Sequence, residues 1–165
     1  MATIRIALIG MGKIARDQHV PAIRGDAAFA LAATVSPHHA GLDGVPHFSS
    51  LDALFSEGPM VDALALCTPP QVRYELATAA IGRGKHVFLE KPPGATLSEV
   101  AALKGQAQGA GVTLFASWHS RFAAGVAPAR AWLAGREVRG ARIVWREDVR
   151  AWHPRQAWIW DAGGL

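Results

Sequence analysis

Two short clusters carry the residue types that chemistry needs, and a third lies between them. Gly10-Met11-Gly12-Lys13-Ile14-Ala15 fits GxGxxA, directly after an apolar stretch and directly before a helical one. In that setting Gly10 permits a tight turn, Gly12 lets the backbone approach a pyrophosphate, and Ala15 permits close helix–strand packing. The pyrophosphate would rest on free N–H groups at the positive end of the helix. A dinucleotide is therefore expected at Gly10, Met11, Gly12, Lys13 and Ile14, the alternative being a plain structural turn. Farther on, Glu90-Lys91-Pro92 follows the apolar His86-Val87-Phe88-Leu89, and Thr68-Pro69-Pro70 follows Val61 to Cys67. Oxidising an alcohol removes a hydride and a proton; a nicotinamide takes the hydride and a side chain must move the proton. A lysine whose basicity is lowered by partial burial and a nearby positive ring can do this, and an arginine cannot. The chain uses thirteen arginines and only four lysines, so Lys91 stands out as the catalytic candidate. The alternative is a charged anchor for a hydroxyl or for Glu90.

In NAD-specific domains an acidic residue about 20 positions after the glycine turn holds the ribose 2′-hydroxyl. That place falls at Val35-Ser36-Pro37-His38, which contains no Asp, Glu or Arg. Ser36 can hydrogen-bond a phosphate, and His38 or His39 can add partial charge, so NADP is favoured over NAD, or both are used. The two histidines read equally as part of a solvated loop.

These clusters need elements to hold them. Ile4 to Ile9, Phe29 to Val35, Val61 to Cys67, His86 to Leu89 and Val112 to Ser117 read as strands, with His47-Phe48 a short one. Helical stretches lie between them. One starts near Lys13 and restarts at Pro21, and Ser50 caps one through Phe55. Gln71 to Arg83 forms another, ended by Gly84. Thr96 opens the next with Glu99 as a capping box, and it fades at Gly109 to Gly111. The alternation predicts an α/β fold, a doubly wound parallel Rossmann sheet with helices on both faces and ligands at the strands' carboxyl ends.

After Trp118 the character changes. All six tryptophans lie from there onward; Ala127 to Leu133 reads as a helix and Gly140 to Val149 as a long alternating strand. Residues 1–120 are thus expected to form an NAD(P)-binding domain, and 121–165 an incomplete, opening part of a substrate or oligomerisation domain, since one strand and one helix make no stable sheet. Trp145, Trp158 and Trp160 are assigned to core, although apolar surface around Trp145 to Trp160 would be left exposed by such a fragment.

Half of the 165 residues are hydrophobic and the formal charge is +4. The arginines are scattered with no basic stripe, so a nucleic-acid partner is not expected. No apolar run reaches the roughly 18 residues of a membrane span. The opening residues lack a signal-peptide pattern, and a cytoplasmic location is expected. Cys67 is the only cysteine, which excludes an internal disulfide and a cysteine metal site; no metal is expected.

The Glu90-Lys91-Pro92 motif, the Thr68-Pro69-Pro70 loop and the glycine turn together resemble the Gfo/Idh/MocA oxidoreductases. The resemblance spans the chain. It implies that Lys91 takes part in proton transfer and substrate binding, that its proline is often cis, and that Thr68, Pro69, Pro70 and Glu90 lie on the cofactor side. Lys13 to Pro21, Trp118-His119-Ser120-Arg121, Glu147 to Arg150, Trp152-His153-Pro154, Gln156 to Trp160 and Gly163-Gly164-Leu165 are similar to a narrower group, the aldose 1-dehydrogenases acting on L-arabinose and D-galactose. That likeness implies oxidation of an aldose at C1 to the lactone, with Lys91, His119, Glu147, Trp152 and His153 lining the sugar pocket. It also implies further pocket residues after Leu165 and a homo-oligomeric full-length protein, so weak or absent turnover is expected of these 165 residues alone. Each residue has a plainer reading: a salt bridge for Glu147, a structural histidine for His119, core packing for the tryptophans, and for Arg121 either a cofactor contact or an acid partner. A polyol or inositol dehydrogenase, and a non-catalytic NADP-binding regulator, are the alternatives; retention of Lys91 argues against the regulator.

Overall fold

The structure is a computed structural model and describes residues 2–152, 154 and 156–160. The chain divides into two compact units, the first ending at Ser117 and the second starting at Trp118, against the expected division after residue 120. The first unit's last strand ends at Ala116, and His119–Phe122 already forms a 3-10 turn of the second.

In the first unit, strands β1 (Ile4–Ile9), β2 (Phe29–Val35), β3 (His47–Phe48), β4 (Ala63–Leu66), β5 (His86–Leu89) and β6 (Leu114–Ala116) form one parallel sheet in the order β3-β2-β1-β4-β5-β6. This is the expected doubly wound sheet, with β4 and β6 one or two residues shorter at each end than the sequence suggests. A π-helical turn, Ala15–His19, runs into α1 (Val20–Arg24), with Pro21 in its first turn. The other helices are α2 (Leu51–Glu57), α3 (Pro70–Gly82) and α4 (Leu97–Ala110). The chain winds from β1 toward β3 and then back across β1 to β4 and onward. With one crossover handedness, the two directions put their helices on opposite faces.

Both faces are therefore covered, which is why the buried stretches of the central strands are apolar. Ala7, Ile9, Leu64, Leu66, Val87 and Leu89 pack with Leu54, Ala77, Ile81 and Leu103 of α2, α3 and α4. Leu8 and Ala65 face the other way, onto Met11, Ala15, Val20 and Ile23. The winding reverses between β1 and β4, and the crevice at their carboxyl ends is where such sheets bind ligands.

The second unit contains α5 (Val126–Leu133) and α6 (Val149–Trp152). The expected strand from Gly140 to Val149 does not form: residues 140–148 carry no regular structure. A strand needs a neighbour for its N–H and C=O groups, and the described residues of this unit supply none. The core assignment of the tryptophans is corrected for the same reason. Trp145 is 75% and Trp160 63% exposed, and Ile143 is 88% exposed, whereas Ile159 is buried. Trp158's side chain lies outside the described residues.

The α4 N-terminus is held reciprocally. The Thr96 hydroxyl accepts from Glu99 N–H at 3.2 Å, and the Glu99 carboxylate accepts from Thr96 N–H at 3.3 Å and Ala95 N–H at 2.9 Å. Thr96→Ala is expected to lower the unfolding free energy by about 1 kcal/mol, measurable as a shifted urea midpoint; an unchanged midpoint would show that α4 does not depend on its cap.

Candidate functional site

The glycine turn leaves β1 beside the end of β4. Gly10 has φ +89°, and a Cβ there would come within 3.0 Å of the Thr68 methyl and 3.1 Å of the Cys67 carbonyl carbon. Only glycine fits this close approach. At Gly12 a Cβ would meet nothing within 4 Å, so the turn opens on that side. Met11 is fully buried. Ile14 is exposed in the first helical turn, and Lys13 pairs with Asp17 one turn on. No side chain caps this helix, and none caps α3, which starts from Pro69 and Pro70. The Thr68 hydroxyl, between the two, is buried without a hydrogen-bond partner among the described residues. Open space at Gly12, uncapped N–H groups and an orphan hydroxyl fit the phosphates and polar edges of a dinucleotide.

Arg73 explains how the strand ends are held. It stands on the core stripe of α3 with Pro70, Ala77, Ala80 and Ile81, and is 2% exposed. Helical side chains lean toward the helix N-terminus, which here is the carboxyl edge of the sheet. Its Nη1 donates to the carbonyls of Glu90 and Pro92, and its Nη2 to that of Thr68. One guanidinium thus ties the end of β4 to both sides of the Glu90-Lys91-Pro92 turn, whose Lys91–Pro92 peptide is cis. Burial pulls the guanidinium below its ordinary pKa, and the Glu90 carboxylate opposes this.

Glu90 is the centre of a second network. Its Oε1 lies 2.8 Å from His19 Nε2, and its Oε2 accepts from Lys91 N–H at 3.1 Å. The Ser117 hydroxyl, after β6, also favours the ionised form of this carboxylate. The His19 ring stands edge-on to Phe88, with centroids 5.2 Å apart. Burial works against the carboxylate, but the bonds from His19 and Lys91 N–H outweigh it and hold the carboxyl below its usual range. Lys91 itself is exposed, its backbone fixed on both sides. Cys67, also at this edge, has its thiol pushed up to about 12 by burial and by Glu90, so it stays neutral and unreactive.

Ser36 directly follows β2 and is 5% exposed. Its hydroxyl accepts from His39 N–H at 3.2 Å and lies 3.3 Å from His39 Nδ1. Gly10, Met11, Gly12, Lys13, Ile14, Ser36, Thr68, Pro69, Pro70, Glu90 and Lys91 all lie at the carboxyl edge of this sheet. The sequence reading gave no role to Arg73 or His19. The signal was phase: Arg73 is in register with Ala77 and Ala80, and His19 with Ala15 and Ile23, so each polar residue interrupts a buried stripe.

In the second unit His119 is exposed in its 3-10 turn. Glu147 is exposed in the irregular stretch and makes no ion pair among the described residues, so its salt-bridge reading finds no partner there. Trp152 closes α6, with its side chain outside the described residues, and His153 lies outside them altogether. Among the described residues no cluster of His, Cys, Asp and Glu could hold a metal, and no helix is long and apolar enough to cross a membrane.

Comparison with known proteins extends these observations. Residues 4–117 match a family described as an oxidoreductase family with an NAD-binding Rossmann fold. The chain is 47% identical to galactose 1-dehydrogenase of Pseudomonas fluorescens over 163 residues, 99% of this chain and 52% of that protein. It superposes on the crystal structure of a D-galactose-1-dehydrogenase protein from Rhizobium etli with TM-score 0.91 and 53% identity, covering 100% of this chain and 53% of that one. The WlbA dehydrogenase from Bordetella pertussis, in complex with NADH and UDP-GlcNAcA, matches with TM-score 0.72 and 28% identity, covering 80% of this chain and 42% of that one. The chain spans about half the length of these relatives.

Two outcomes follow from the networks. Arg73→Leu strands three carbonyls in a buried place, and a loss of about 2–4 kcal/mol is expected, read from denaturant unfolding; a loss below that of an ordinary surface change would remove Arg73 as the clamp. Because the folded Glu90 pKa is lowered, its stabilising contribution is complete above the ordinary 4.5 and is lost as pH falls through the lowered value. Stability measured down through that window should fall less steeply in Glu90→Gln than in the parent.

Proposed function

The chain belongs to the Gfo/Idh/MocA family of oxidoreductases, and from that premise we propose that its full-length protein oxidises an aldose of the galactose or arabinose type at C1 to the lactone, favouring NADP over NAD. The likeness to two galactose 1-dehydrogenases over nearly the whole chain supports the substrate class. The observation that carries the reading is the turn at Lys91. A lysine is held at the carboxyl edge by a backbone clamped from Arg73 and Glu90, across the edge from an open glycine turn.

When bound, a nicotinamide supplies the hydride acceptor. The glycine turn and the uncapped first turns hold the pyrophosphate, and Thr68, Pro69 and Pro70 bound the cofactor's other side. Lys91 takes the proton of the C1 hydroxyl as the hydride leaves C1. Its fixed backbone reduces the conformational freedom lost in reaching the substrate. His119, Glu147, Trp152 and His153 hold the sugar: carboxylate and imidazoles on hydroxyls, the indole on a C–H face. The unit that ends at Ser117 serves as the cofactor domain, and the unit from Trp118 opens the substrate and oligomerisation domain. NADP is favoured because Ser36, not an acid, follows β2.

The test is nicotinamide absorbance with L-arabinose, D-galactose, D-xylose and myo-inositol, each with NAD and NADP, on a protein extended to the relatives' length. Aldose turnover is expected, with Lys91→Met lowering kcat by roughly 10²–10⁴. Turnover of inositol alone would shift the substrate class. Cofactor binding with no turnover of any substrate would favour a regulator.

A further inference from the structure

Arg16 follows Ala15 of the glycine turn, yet its side chain reaches a different part of the cofactor edge. Its Nε donates to the Met11 carbonyl at 3.2 Å, and its Nη2 donates to the carbonyls of Ala40 and, at 3.4 Å, Gly41. Residues 36–41 are the segment that leaves β2, where the sequence offers no acid and no arginine of its own. The guanidinium is thus delivered to that segment by the helix. Its Nη1, with two N–H donors, has no acceptor among the described residues. No carboxylate neutralises it: the neighbouring Asp17 is taken by Lys13, and Asp43, the one acid between Val35 and His47, makes no ion pair among the described residues.

We propose that Arg16 is the specificity-determining residue for the adenosine ribose, its free guanidinium N–H groups seating a 2′-phosphate beside Ser36 at the end of β2. This rests on the NADP reading above and names the residue that enforces it. An arginine is suited to the task because its fork can hold backbone carbonyls with one edge and present the other to a phosphate. Ser36 supports the seat from the strand side. Its hydroxyl caps the turn through His39 N–H, which fixes the loop that the Arg16 fork grips from the other side. A ribose 2′-hydroxyl carries no charge for the guanidinium to neutralise, so NAD depends far less on Arg16 than NADP does.

The experiment is calorimetric titration of the full-length protein with NADP and with NAD, for the parent, Arg16→Met and Arg16→Lys. The parent should prefer NADP. Arg16→Met should weaken NADP roughly ten- to a hundredfold while NAD affinity changes far less, and Arg16→Lys should recover part of the loss. Added salt should erode the parent's preference more than that of Arg16→Met. If Arg16→Met keeps the parent's preference, Arg16 is not the determinant and the NADP reading stands without it. If NADP and NAD weaken together, Arg16 only tethers the loop and the proposal fails. A parent that binds NAD as tightly as NADP would overturn the NADP reading itself.

Discussion

Three carbonyl oxygens from two separate stretches of chain converge on one buried guanidinium, and the candidate site rests on that convergence. Parallel strands end with carbonyls that have no further ladder partner, and here the ends of β4 and β5 are also the walls of a crevice. Water cannot fill both roles at a place this buried. Arg73 supplies planar, fixed donors to Thr68, Glu90 and Pro92 at once. A lysine would bring a single ammonium on a flexible stem, with less geometric constraint. The cost of burying the cation is offset by these acceptors and by the Glu90 carboxylate nearby.

Glu90 then couples pieces of the fold that the sheet alone does not join. Its carboxylate accepts from its own successor's N–H and meets His19 from the helix that follows the glycine turn. Lys91 is therefore positioned from two directions. Arg73 holds the carbonyls flanking it, and Glu90 holds its amide. His19 also packs on Phe88 within β5, so the imidazole is placed by an aromatic edge as well as by a hydrogen bond. A change in the first helix would reach the Lys91 turn through this pair without any contact to Lys91 itself.

The sheet was legible because both of its faces are buried. Ile4–Ile9, Phe29–Val35 and His86–Leu89 are apolar runs bounded by turn residues, and the structure begins and ends these strands at the same residues. Caps at Ser50 and Thr96 were legible because they act within one helical turn. Arg73, His19 and Arg16 were not, since their partners are backbone carbonyls and a carboxylate far along the chain, and no local pattern encodes a carbonyl's direction. The strand from Gly140 to Val149 failed for the opposite reason. Its alternation is local and real, but a strand exists only when another strand accepts its hydrogen bonds, and alternation says nothing about whether that partner is present.

The way the helices begin separates the working part of the edge from the rest. Helices α2 and α4 close their own N-termini: Ser50 accepts from Ala53 N–H at 3.1 Å, and Thr96 and Glu99 bond reciprocally. The helix after Gly12 and helix α3 have no such side chain, and they follow β1 and β4, the two strands at which the winding reverses. Uncapped N–H groups left to water cost little, but they are also donors already aimed, with the positive ends of two helix dipoles behind them. A serine or aspartate at Gly12 would satisfy its helix internally and fill the opening as well. Retaining glycine and proline at these starts gives up only a few tenths of a kcal/mol of capping at Gly12 and about 1 kcal/mol at Pro69, and leaves an electropositive notch between them. An anion with several acceptor oxygens, such as a pyrophosphate, is the ligand that such a notch matches in both charge and hydrogen-bonding capacity.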